Sequence, residues 1–206
     1  LYVHGDIDRR AFLDGAKKFS VGTLTAAGIL EALRPNYALA QQVAKDDKRI
    51  KVEYATVESP QGNGSIKGIL ARPAAAKGKL PGVIVIHENR GLNPYIEDVA
   101  RRAAADGFLA LAPDGLAPLG GYPGNDDDGR RLQAGLDQGK LRTDMANSAR
   151  FLKAHALSSG KLGVTGFCWG GSTTNFLAAS LGAEVLAAVP FYGAAAETAS
   201  VPAIKA

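Results

Sequence analysis

Cysteine and histidine are scarce in this chain of 206 residues. The single cysteine, Cys168, excludes an intramolecular disulfide, and three scattered histidines are too few to complete a zinc site with it. No run of about 18 uninterrupted apolar residues occurs, so the sequence predicts no stable membrane span. The 24 basic residues barely exceed the 20 acidic ones and do not cluster, which argues against a nucleic-acid-binding protein.

Residues 1–48 form either an N-terminal arm or an export signal. The sequence RRAFL at Arg9–Leu13 matches the core of a twin-arginine signal, a weakly apolar stretch follows at 19–33, and Ala38-Leu39-Ala40 matches a cleavage site. A working signal would make the protein periplasmic or otherwise exported, and without one it would be cytoplasmic. Glu31 interrupts the apolar stretch, so an amphipathic helix capped by Asp8 is an equal alternative.

Residues 49–206 alternate strand-like and helix-like segments, which predicts an α/β domain. A hairpin-like start is followed by buried apolar strands, as in a mostly parallel sheet with helices on both faces. The predicted strands are 50–58, 66–71, 83–87, 108–112, 162–165 and 185–192. The predicted helices are 94–106, 141–156 and 172–181. A long loop rich in glycine, proline and aspartate is expected at 116–128.

The segment KLGVTGFCWGG at 161–171 carries the most chemical information. It reads as a strand, the pattern G-x-C-x-G around Cys168, and a helix, which is the nucleophile elbow of α/β-hydrolases with cysteine in place of serine. Small neighbours allow the sharp turn, and the helix N-terminus favours negative charge on the nucleophile or on an oxyanion. The plainer alternative is a buried, inert cysteine.

Glu88 follows the apolar run VIVIH at the carboxyl end of a strand. If the strands at 83–87 and 162–165 are parallel, Glu88 and Cys168 lie at the same edge of the sheet, where ligands bind in such folds. A carboxylate there can take the thiol proton or hold the thiol in a resting orientation. The plainer alternative is a surface loop acid paired with Arg90.

Together these segments make residues 50–206 resemble the dienelactone hydrolase (carboxymethylenebutenolidase) family. The resemblance implies the α/β-hydrolase fold and a cysteine-dependent hydrolase of small lactones or esters, with no metal or organic cofactor. The oligomeric state is not implied. The matching segments, in chain order, are VIVIHENRG at 83–91, GFLALAPDGL at 107–116, KLGVTGFCWGG at 161–171 and AAVPFYG at 187–193.

The resemblance also implies roles for individual residues. Cys168 is the expected nucleophile, and Glu88 is the carboxylate that engages the thiol before substrate arrives. Backbone N–H groups of Trp169 and Asn89 are expected to form the oxyanion hole.

An arginine is expected to grip the substrate carboxylate, since a bidentate guanidinium suits such a group. Arg130 and Arg131 are the candidates after the 108–112 strand, and Arg90 is a further substrate-binding candidate.

The family triad implies an aspartate and then a histidine after the nucleophile. Neither residue type occurs after Cys168, and His87 and His155 lie upstream of it. We therefore expect a C-terminally truncated hydrolase that lacks its last strands and turns over poorly, because its general acid/base is absent. The alternative is a non-catalytic fragment or a scaffold that binds small molecules. Ser172 lies one turn past the apex of the elbow, which disfavours a serine esterase.

Overall fold

The computed structural model describes residues 8–19 and 41–206, which fall in two units, 1–40 and 41–206. In the first unit, α1 spans Arg9–Ala16, and the side chain of Asp8 caps it by accepting the N–H of Ala11 at 2.7 Å. This confirms the predicted cap. Residues 20–40, with most of the predicted apolar stretch and the cleavage site, lie outside the described residues. The export signal and the domain boundary at 48/49 therefore remain predictions.

Six strands of the second unit form one sheet, in the order β1-β2-β4-β3-β5-β6. β1 and β2 form an antiparallel hairpin, β2 is antiparallel to β4, and β4, β3, β5 and β6 are mutually parallel. The hairpin start and the mostly parallel sheet are thus confirmed. The strands are β1 Ile50–Ser59, β2 Gly64–Pro73, β3 Leu80–Ile86, β4 Leu109–Pro113, β5 Ser158–Phe167 and β6 Ala187–Phe191.

Four helices connect these strands, and one of them was not predicted. They are α2 Pro94–Ala105, α3 Asp126–Ala134, α4 Gln138–Ala154 and α5 Trp169–Leu181. α3 starts inside the segment predicted as a loop, because the side chain of Asn125 caps it and three aspartates fill its first turn. α5 starts three residues earlier than predicted, since Cys168 itself occupies the position before the helix.

The two faces of the sheet are covered by different helices. Ile84 points to one face and packs in a cluster with Met145 of α4 and Leu177 of α5. Its neighbour Val85 points to the other face and packs with Ile96 of α2. All of these side chains are fully buried, which confirms helices on both faces. No helix among the described residues has the length and apolar character needed to cross a bilayer.

A buried polar cluster, the Asp98 clamp, ties the start of the second unit to α2. The carboxylate of Asp98 accepts the N–H groups of Val43 at 2.9 Å and Gln42 at 3.2 Å. Arg101 donates from Nε to the carbonyl of Val43 at 2.9 Å, and its guanidinium lies 3.6 Å from Asp98. Asp98 and Arg101 are almost fully buried, so water cannot reach their charged groups. Each residue therefore provides charge neutralisation and hydrogen bonds for the other side of the cluster.

Asp98→Ala should lower the free energy of unfolding by about 3 kcal/mol. The substitution leaves buried N–H groups without an acceptor, and it removes a negative charge that neutralises the buried guanidinium of Arg101. Urea denaturation followed by circular dichroism measures this change. Arg131→Ala is the control, since it removes an exposed ion pair with Asp128 and should cost less than about 0.5 kcal/mol. Equal effects of the two substitutions would contradict the clamp.

Candidate active site

Cys168 sits in a strained backbone turn between β5 and α5. Its φ of 56° and ψ of −112° place it in a region that side-chain-bearing residues avoid, and among the described residues only Tyr192 is another non-glycine with positive φ. The turn is held from both sides, since Cys168 donates its N–H to the carbonyl of Phe191 at 3.0 Å and accepts the N–H of Ser172 at 3.0 Å. This geometry is the predicted elbow, and it leaves the side chain of Cys168 half-buried.

The glycines of the elbow allow backbone to touch backbone. A Cβ on Gly166 would overlap the carbonyl of Gly170, and a Cβ on Gly170 would overlap the carbonyls of Ile86 and His87. The first turn of α5 therefore rests directly on the end of β3. The pattern G-x-C-x-G is a steric requirement of this contact.

The strand register brings Glu88 to the same edge as Cys168, as the sequence predicts. Ile86 of β3 pairs with Gly166 of β5, and Glu88 and Cys168 each lie two residues beyond that pair. Neighbouring strands run about 4.8 Å apart, so the two residues leave the sheet side by side. Glu88 is 8% exposed, and its Oε2 accepts the side-chain N–H of Asn93 at 3.1 Å.

Tyr192 belongs to the same group of side chains. Although Tyr192 is 67% exposed, burial of the rest raises the pKa of its phenol, and Glu88 and Cys168 in their ionised forms raise that pKa further, while Arg90 opposes them. The phenol therefore keeps its proton at neutral pH and can donate a hydrogen bond into the site. The sequence shows Tyr192 only as part of the segment 187–193 and gives no signal of its electrostatic partners.

The two expected oxyanion donors lie on either side of this edge. Trp169 is the first residue of α5, and Asn89 lies in the turn that follows β3. Within the described part of the chain, neither backbone N–H has a hydrogen-bond acceptor. The indole of Trp169 is fixed, because it stacks on His87 with centroids 5.5 Å apart and donates to Gln138 at 2.9 Å.

His87 is engaged through both of its ring nitrogens. Nε2 accepts the N–H of Gly115 at 2.9 Å, so Nδ1 carries the proton and donates to the carbonyl of Glu88. The ring is completely buried. His87 is therefore a packed structural residue. His155 accepts the N–H of Leu157 at 3.2 Å at the end of α4, which is likewise a local structural contact.

Two buried side chains that sequence reasoning missed hold the loops around the site. The carboxylate of Asp114 accepts the N–H groups of Leu92 at 3.1 Å, Leu116 at 2.9 Å and Tyr122 at 3.2 Å. Gln133 of the unpredicted helix α3 accepts the N–H of Gly91 at 3.1 Å. The Pro-Asp-Gly turn at 113–115 is a sequence signal for Asp114, whereas nothing in the sequence marks Gln133.

The three candidate arginines have different surroundings. Arg90 donates to Asp126 at 2.8 Å, is largely buried, and acts electrostatically on Tyr192. Arg130 pairs with Asp127 on α3. Arg131 pairs with Asp128 at 2.7 Å, and its side chain is 78% exposed. Arg90 is thus the candidate with a described link to the site, and the substrate-binding roles of all three remain predictions.

The described residues contain no group of three or more His, Cys, Asp or Glu side chains arranged to hold a metal ion. The arrangement around Cys168 combines a thiol, a carboxylate, a phenol and two backbone N–H groups that have no acceptor among the described residues. It can support attack of sulfur on a carbonyl carbon and stabilise the resulting oxyanion.

Gly170→Ala should destabilise the chain by about 2–3 kcal/mol, because the new methyl group overlaps two backbone carbonyls at the end of β3. Guanidinium denaturation measures the loss. Gly78→Ala is the matched control, since a Cβ there meets no atom within 4 Å and should leave stability unchanged or slightly raised. A neutral Gly170→Ala would refute the direct contact between α5 and β3.

Cys168→Gly should be more stable than Cys168→Ala by about 1 kcal/mol. Glycine adopts positive φ without steric cost, and this relief exceeds its larger loss of backbone entropy. Thermal denaturation of the two variants side by side gives the difference. An alanine variant that is equally stable would show that the elbow stores no strain.

The family model of the dienelactone hydrolase family matches residues 66–206. The chain is 59% identical over 114 residues to the hydrolase fragment YghX of Escherichia coli K12, covering 55% of this chain and 97% of that protein. It is 34% identical over 178 residues to an E. coli K12 homologue named carboxymethylenebutenolidase, covering 84% of this chain and 63% of the homologue.

A solved structure shares both sequence and fold. It is a dienelactone hydrolase-like promiscuous phosphotriesterase from metagenomic libraries, with 26% identity and a TM-score of 0.64 over 76% of this chain and 66% of its own. The present chain spans only half to two thirds of the length of its carboxymethylenebutenolidase relatives. The family match covers more than half of this chain and includes the elbow and the Glu88 turn, so the chain belongs to the dienelactone hydrolase family.

Proposed function

We propose that the protein is a cysteine-dependent hydrolase of small lactones or esters in which Cys168 is the nucleophile. The observation that carries this proposal is the strained elbow, where Cys168 has a φ of 56° at the N-terminus of α5. An inert buried cysteine gives no reason to keep such a backbone, whereas a nucleophile that must stand clear of the sheet does. The family membership agrees with this chemistry.

The acylation step uses groups that lie at this edge of the sheet. As sulfur attacks the ester carbonyl, the thiol proton passes to the carboxylate of Glu88 and a C–S bond forms. The carbonyl oxygen becomes an oxyanion that the N–H groups of Trp169 and Asn89 stabilise. When the oxyanion collapses, the C–O bond breaks and Glu88 returns its proton to the leaving oxygen. The products are a thioester at Cys168 and an alcohol, or an opened lactone.

Deacylation makes a different demand on the protein. Water attacks the thioester rapidly only when a well-placed general base accepts its proton. The carboxylate of Glu88 is free again after acylation, but the histidine and aspartate that the family triad implies for this step do not follow Cys168 in these 206 residues. We therefore propose that this chain acylates readily and deacylates slowly. The competing proposal, a scaffold that only binds small molecules, predicts no covalent step at all.

The substrate we propose is a small ester or lactone, with a carboxylate as an optional second recognition point. Arg90 is the best-supported partner for that carboxylate, because its charge acts on Tyr192 within the site. Asp126 already accepts a hydrogen bond from this guanidinium at 2.8 Å, and a guanidinium has five N–H donors. The phenol of Tyr192 is a neutral donor for an ester oxygen.

With p-nitrophenyl acetate, the chain should release a burst of about one equivalent of p-nitrophenol per protein, followed by turnover at least about 100-fold slower. Stopped-flow absorbance measures the burst, and intact-mass spectrometry locates the acetyl group on Cys168. Cys168→Ala should remove both signals.

The reference for this experiment is the same chain unfolded in urea, where its only thiol reacts as a free cysteine. A folded chain that acylates no faster than the unfolded one would contradict a nucleophilic role. Rapid steady-state turnover by the 206-residue chain would instead overturn the proposed deacylation defect.

A further inference from the structure

Asn93 is a buried residue whose side-chain amide serves two structures at once. It is 1% exposed and occupies the position before α2. Its Oδ1 accepts the N–H of Ile96 at 3.0 Å, which caps the helix, and its Nδ2 donates to Oε2 of Glu88 at 3.1 Å. If the amide were flipped, its oxygen would face the carboxylate of Glu88 and its NH₂ group would face the N–H of Ile96. Both contacts therefore fix one orientation of Asn93.

Glu88 depends on this contact. Within the part of the chain that the structure describes, the amide of Asn93 is the one hydrogen-bond donor to the Glu88 carboxylate. Oε2 is thereby held, and Oε1 is left for another partner at the edge where Cys168 leaves the sheet. In a nearly buried carboxylate, this bond fixes the position of one oxygen and narrows the positions that the other can take.

We propose that Asn93 is a positioning residue that aims the carboxylate of Glu88 at the thiol of Cys168. This inference rests on the proposed function for its purpose, although the contact itself can be tested without any hydrolysis. Because Asn93 also caps α2, the placement of the acid is tied to the first turn of a core helix. If Glu88 turned away, the buried amide nitrogen of Asn93, which the cap holds in place, would lose its acceptor.

The test separates capping from positioning. Asn93→Ser and Asn93→Thr keep an oxygen that can cap α2 but remove the amide donor to Glu88. Asn125→Ser is the matched control, because Asn125 caps α3 with its Oδ1 and donates from Nδ2 to the exposed Asp128. The readout is the rate of alkylation of Cys168, the only thiol, by iodoacetamide as a function of pH.

A carboxylate beside a thiol opposes formation of the thiolate, the form that iodoacetamide alkylates. Glu88→Gln should therefore speed alkylation at neutral pH by about threefold or more and shift its pH midpoint downward. Asn93→Ser and Asn93→Thr should move both in the same direction. In the Glu88→Gln background, the Asn93 substitutions should add nothing, and Asn125→Ser should leave the profile unchanged.

Three results would overturn the inference. The first is an Asn93→Ser profile identical to that of the natural chain, and the second is an Asn93 effect that persists in full without the carboxylate at 88. The third is a Glu88→Gln variant with unaltered alkylation, since Glu88 would then have no influence on the thiol. Failure of the proposed function is a separate outcome, namely the absence of an ester burst, and it leaves the alkylation profiles interpretable.

Discussion

The site depends on one direct backbone-to-backbone contact, in which the first turn of α5 packs on the end of β3. Gly170 has no room for a Cβ against the carbonyls of Ile86 and His87. This approach forces the chain to turn sharply at Cys168 and fixes its positive φ. It also places the N–H of Trp169 beside the turn that carries Glu88 and Asn89. The proposed nucleophile, acid and oxyanion donors thus share one steric cause.

The surrounding segments lock this contact from outside. The carbonyl of Phe191 accepts the N–H of Cys168, and its ring stacks on Phe167 with centroids 4.9 Å apart, so β6 braces the elbow. On the other side, Asp114 holds the loop after β3 through the N–H of Leu92. A buried carboxylate that accepts several backbone N–H groups regains in hydrogen bonds the free energy that it loses on leaving water. It also fixes a loop that has no hydrogen bonds to a strand.

The spacing of apolar residues predicted most of the strands and helices, because it reflects which side chains are buried. The run VIVIH is apolar on both faces, and β3 is buried on both faces. α3 was missed because glycine and three aspartates look like loop chemistry, although Asn125 and the acidic first turn mark a helix start.

The part of the site that lies at the carboxyl edge of the sheet could be predicted from the sequence. Cys168 and Glu88 follow paired strands, so their proximity could be inferred from topology. The bond from Asn93 to Glu88 could not, since it depends on the path of the turn between β3 and α2. Similarly, only the folded chain shows that Arg131 lies exposed beside Asp128, whereas Arg90 acts on Tyr192.

The charges at this edge explain why a thiol and a carboxylate can work side by side. Glu88 and Cys168, in their ionised forms, raise the pKa of Tyr192, and Arg90, which opposes them, also pairs with Asp126. Two negative charges together would be costly, but they need not coexist during acylation. In the proposed acylation, the thiol proton moves to Glu88, and the carboxylate becomes neutral as charge develops on sulfur and then on the carbonyl oxygen. The charge therefore migrates toward the N-terminus of α5, where unpaired N–H groups and the helix dipole stabilise it most.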